Sequence, residues 1–125
     1  MAIALAGCES PSEPTSFRLV EPFEIRPGDT AIVELSLRIK FESVTADSRC
    51  PIDVTCIQAG DAVVKLSISA VDQPVETHDV HTNPMFSDAL YQAFVIRLQA
   101  LTPFPRSDRP VAPADYVARL IVGLQ

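Results

Sequence analysis

Between positions 33 and 42 the chain alternates without a break. Val33, Leu35, Leu37, Ile39 and Phe41 are apolar, and Glu34, Ser36, Arg38, Lys40 and Glu42 between them are polar. Period two over ten residues places one face in a core and the other in water, as a pleated strand does. A strand wet on one face belongs in an antiparallel sheet, because parallel sheets are covered on both sides. The run is long for one strand, so a bend or bulge is expected inside it. Two further runs repeat the pattern. Ala62, Val64, Leu66, Ile68 and Ala70 alternate with Val63, Lys65, Ser67 and Ser69; Phe94, Ile96, Leu98 and Ala100 alternate with Val95, Arg97 and Gln99.

Shorter strand candidates lie at 17–20, 23–26, 75–82 and 116–124. Turn chemistry separates them: Arg26-Pro27-Gly28-Asp29, Asp72-Gln73-Pro74 and Asn83-Pro84. About seven strands without a long helical pattern predict an all-β fold over 17–125, a single-domain antiparallel β-sandwich of immunoglobulin-like type. A small closed β-barrel is the alternative. Ala114-Asp115-Tyr116, opening the last strand, resembles the tyrosine corner of such sandwiches. With no Trp and six Phe, the core must rest mainly on Val, Ile, Leu and Ala. The segment 102–114, with Pro103, Pro105, Pro110 and Pro113, reads as a crossing between sheets or as a polyproline ligand for a partner.

Three cysteines are present. Cys50 and Cys56 bracket five residues, too many for a C-x-x-C redox pair, and no second Cys pair completes a four-thiolate zinc site. A cystine ring is the simplest use, and it requires an oxidising compartment. Leu5-Ala6-Gly7-Cys8 matches the lipobox of bacterial lipoproteins, in which the cysteine is acylated and becomes the mature N-terminus. Residues 1–16 are accordingly expected to be a lipobox remnant and a polar, Pro-rich tether. Only seven residues precede Cys8 and none is basic, short of a full signal peptide. An incidental thiol on an apolar stub is therefore the competing reading.

The formal charge of −6 argues against nucleic acid, which needs clustered Lys and Arg. Within 47–61, Asp47, Arg49, Ile52, Asp53, Val54 and Thr55 form a candidate recognition loop, since a cystine ring lowers the ordering cost of binding. The competing reading is that Asp47 and Arg49 hydrogen-bond loop backbone and the ring is structural. His78 and His81 suit a metal in chemistry, but residues three apart on a straight strand face opposite sides. Asp47, Asp53 and Asp61 lack the dense ligand order of a calcium loop. No G-x-S-x-G, H-E-x-x-H, P-loop or GxGxxG pattern occurs, so neither an enzyme nor a cofactor is expected.

Asp47-Ser48-Arg49-Cys50-Pro51, then Cys56, then Ala59-Gly60, resembles the DSRCP…C-x-x-A-G signature of a family of small bacterial envelope proteins, often lipoproteins. Leu101-Thr102-Pro103-Phe104-Pro105 and Pro113-Ala114-Asp115-Tyr116 are similar to that family's C-terminal pattern, so the resemblance spans most of 23–124. An aromatic residue, commonly Trp, stands in that family where this chain has Gln58. The resemblance implies a β-rich exported domain and brings no known activity. The expectation is a lipid-anchored envelope module, binding or structural, on the periplasmic or cell-surface face. Its partner would be an envelope protein or other ligand. A metal-binding protein or hydrolase using His78, His81 and the acidic loop is the alternative.

Overall fold

A computed structural model describes residues 15–125, and Cys8 with most of the expected tether lies outside the described residues. Nine strands follow in order among the described residues: β1 (Thr15–Phe17), β2 (Phe23–Ile25), β3 (Thr30–Val33), β4 (Leu37–Asp47), β5 (Ala62–Ala70), β6 (Glu76–His81), β7 (Asp88–Tyr91), β8 (Phe94–Thr102) and β9 (Val117–Leu124). They form two sheets, ordered β1-β3-β4-β5-β6 and β2-β9-β8-β7. β1 runs parallel to β3, and every other pairing is antiparallel. The sheets do not join into one closed surface, so the fold is an all-β sandwich and not a barrel.

Alternation decides which side chains meet between the sheets. Leu37, Ile39 and Phe41 of β4 and Ala62, Val64, Leu66 and Ile68 of β5 turn inward and are fully buried. They face Ile96, Leu98 and Leu101 of β8 and Ala118, Leu120 and Val122 of β9. The outward partners Arg38, Lys40 and Lys65 are exposed. Burial of each large aliphatic side chain contributes about 1.5–3 kcal/mol before the opposing entropy.

The long alternating run folds differently from the single strand expected. It is cut at Glu34–Ser36 into β3 and β4, which pair with Val33 opposite Leu37. Glu34 and Leu35 take φ of 53° and 60°, and Ser36 N–H donates to the Val33 carbonyl at 3.2 Å, a type I′ reversal. Three turn residues preserve parity, so Val33 and Leu37 both point inward as they would on an unbroken strand. Bulges lie further along, between Phe41 and Ser43 and between Val44 and Ala46.

Strand β7 had no sequence signal of its own. Its four residues follow a 3₁₀ turn at Pro84–Phe86, capped by the Asn83 side chain, which accepts from Met85 N–H. The Pro-rich segment is not a crossing between sheets. It joins β8 to β9, which are neighbours in one sheet, and it folds back over the loop between β4 and β5.

Candidate functional site

After Phe41 the inward pattern of β4 fades, because two bulges turn its last residues out of the sandwich. The chain then leaves the sheet at Ser48 and returns at Asp61. A narrow neck holds this excursion. Ser48 N–H donates to the Asp61 carbonyl at 2.6 Å, Asp61 N–H donates to Ser48 Oγ at 3.1 Å, and Cys50 N–H donates to the Ala59 carbonyl at 2.9 Å. Gly60 makes the neck possible. Its φ is +73°, and a Cβ there would overlap the Ser48 carbonyl oxygen. Beyond the neck Cys50 and Cys56 form the expected disulfide.

Arg49 is the buried charge of the site. Its guanidinium grips Asp47 in bidentate fashion, Nε to Oδ1 at 2.8 Å and Nη2 to Oδ2 at 2.7 Å. Nη1 donates to the Leu101 carbonyl, and Nη2 also donates to the Pro103 carbonyl at 3.0 Å. The guanidinium carbon lies 4.8 Å from the centre of the Phe104 ring. On the far side Tyr116 Oη donates to Asp47 Oδ2 at 2.8 Å. Tyr116 thus bonds a side chain rather than the main-chain partner typical of a tyrosine corner. Burial pushes the Asp47 carboxyl up, but hydrogen bonds from Arg49 and Tyr116 and the Arg49 charge outweigh it and hold the group below its ordinary range. Burial, reinforced by the bond to Asp47, pushes the Tyr116 phenol up to about 12.

The Pro-rich segment clasps the ring from outside. Ile52 N–H donates to the Pro105 carbonyl at 2.9 Å, and Asp53 accepts from Ser107 N–H at 2.9 Å and Ser107 Oγ at 2.6 Å. The Ser107 hydroxyl and N–H hold the exposed Asp53 carboxyl below its usual range. Of the candidate recognition residues, Asp47 and Arg49 therefore face inward as a latch, and Asp53 is tied sideways. Ile52, Val54 and Thr55 face solvent. Ile57, fully exposed one residue past the ring, belongs with them. An apolar residue amid polar loop chemistry was its only sequence signal.

Beside the neck lies an open groove of about 750 Å³ between the loop, the β6–β7 turn and the late part of β8. Gly60, Asp61, Asn83, Gln99, Leu101 and Phe104 are among the residues that line it. Asp61 is spent on its own turn: His81 Nδ1 pairs with Oδ2 at 2.6 Å, and Asn83 N–H and Thr82 Oγ1 donate to Oδ1 at 2.9 and 3.2 Å. Burial raises this carboxyl, and those hydrogen bonds outweigh it and bring the group below its ordinary value.

The two histidines do not converge. His78 stands opposite Leu66 and bonds Glu76 at 2.9 Å, whereas His81 stands opposite Val63 on the other face of β6. Asp47, Asp53 and Asp61 each answer to different partners, and no group of three metal-ligating side chains gathers among the described residues. Ser48 Oγ donates to the Asp61 carbonyl rather than to an imidazole. No family model, curated protein or solved structure matches this chain.

Proposed function

We propose that this protein is an exported, lipid-anchored binding module of the bacterial cell envelope, with the cystine loop and adjoining groove as its recognition face. One observation carries the proposal: the loop is fixed at its neck, by its disulfide and by the Pro-rich clasp, yet Ile52, Val54 and Ile57 point into water. A loop backbone fixed in advance has less conformational entropy to lose when its exposed apolar side chains are covered, which favours association. A loop serving only to link β4 to β5 needs none of these constraints. The export half of the reading is supported by the disulfide, which persists in oxidising compartments, by Leu5-Ala6-Gly7-Cys8, and by the resemblance around 47–60.

Two measurements test it. Intact mass of protein taken from its native envelope should give an acylated N-terminus at Cys8 and two thiols that appear only on reduction. An unprocessed chain with three free thiols overturns the export reading. A photo-reactive residue in place of Ile57 should cross-link to a discrete envelope component, and the same probe in place of Arg38, on the outer sheet face, should not. Equal labelling from both positions removes the loop as a recognition face.

A further inference from the structure

The groove's walls restrict what could occupy it. Both ionic groups that line it are spent internally: Arg49 has committed four of its five N–H donors, and Asp61 accepts from three residues. Neither is available to pair with a charged ligand, so the occupant is neutral. The unspent polar groups are primary amides on three separate elements. Gln58 of the loop has no hydrogen-bond partner among the described residues. Asn83 Oδ1 accepts from Met85 N–H and Gln99 Oε1 accepts from Arg119 Nε, which leaves each NH₂ without a partner among the described residues. Ala59, Pro84 and Ala100 add apolar surface, and Phe104 is half exposed.

An extended peptide is the obvious neutral ligand, and the strand edge argues against it. Strand addition needs a free run of main-chain donors and acceptors. β7 pairs with β8 only through Arg97, but past that point Leu98 N–H donates to the Ser87 carbonyl, and Arg49 takes the carbonyls of Leu101 and Pro103. Three main-chain groups along this edge are thus taken by the protein itself. Free amide donors call for ligand oxygens, and the apolar walls and Phe104 ring call for a C–H face and a methyl group. A 2-acetamido sugar offers all of these: a carbonyl and hydroxyls for the amides, a methyl for the alanines and an apolar ring face for Phe104. The volume lies within the roughly 300–1,000 Å³ of small-ligand sites, enough for a short oligosaccharide.

We infer that the groove binds a neutral acetamido-sugar oligosaccharide through Gln58, Asn83, Gln99 and Phe104. The inference rests on reading this end of the sandwich as a recognition face.

The test is ¹⁵N NMR titration of the full chain with tri-N-acetylchitotriose, maltotriose and a capped neutral tripeptide, each to about 10 mM, where affinity is still measurable. Tri-N-acetylchitotriose should shift the side-chain NH₂ signals of Gln58, Asn83 and Gln99 saturably. Phe104→Ala should weaken that response at least tenfold with core resonances unmoved, and Phe104→Tyr should retain it. An equal response to maltotriose overturns the acetamido assignment. Shifts from the tripeptide alone, or from no probe, overturn the glycan assignment. Neither outcome touches the cross-linking result at Ile57, so the broader reading fails or stands separately.

Discussion

Arg49 and Asp47 form one buried ion pair, with 4% and 11% of their side chains exposed, and through it the loop is tied to Leu101 of β8 and to Tyr116 just ahead of β9. A buried pair broken on one side leaves a charge without a partner, which costs far more than losing both. Arg49→Ala is therefore expected to lower unfolding stability by about 3–5 kcal/mol in urea titration. Arg49→Met combined with Asp47→Asn should cost less than Arg49→Ala alone. A double variant at least as damaging as the sum of the singles would show that the two side chains act independently. Tyr116 reports the same contact by absorbance. Its phenol is held protonated up to about 12 in the folded chain, against 10.0 ordinarily. The stabilisation this represents is complete below 10.0 and lost as pH rises from 10.0 to about 12. Tyr116→Phe should remove the tyrosinate signal that appears only near pH 12.

Among the elements, the neck of the loop is the least tolerant. Gly60→Ala meets both a left-handed backbone and the Ser48 carbonyl, whereas Gly28, at φ +93°, has open space around it. Gly28→Ala should cost about 1 kcal/mol and Gly60→Ala up to about 3 kcal/mol, compared by denaturant midpoint. Removing the disulfide with Cys50→Ala and Cys56→Ala should cost about 2–2.5 kcal/mol through unfolded-state entropy. The sandwich and the cystine were legible because both rest on short-range rules: alternation on β4, β5 and β8, and two cysteines at ring-forming separation. The hairpin at Glu34–Ser36 was not, since a three-residue turn keeps the same inward parity as a straight strand. Neither was the inward turn of Arg49. Its acceptors on Leu101 and Pro103 are more than 50 positions away and become neighbours only when β8 and the loop share one end of the sandwich.

For the molecule as a whole, acid is the expected weakness. Asp47, Asp53, Asp61 and Asp88 are all held below the ordinary 3.8, so each binds its proton less readily folded than unfolded. The resulting stabilisation is complete above the unfolded value and disappears as pH falls through the lower folded ones. Stability should fall steeply below about pH 4, and Asp47→Asn should flatten that slope; an unchanged slope would remove Asp47 from the account. The direction of β1 adds a geometric consequence. It advances with β3 toward the Glu34–Leu35 turn, so Thr15 lies at the end of the strand nearer the half of the sandwich that carries the cystine loop. In the proposed lipid-anchored form, the seven peptide steps from Cys8 to Thr15 would reach at most about 25 Å. A domain leashed so closely would search a thin shell above the bilayer, where a tethered site would meet its target at millimolar effective concentration. Under that confinement the proposed groove site would have no need of tight affinity: weak, rapidly reversible capture would keep it occupied.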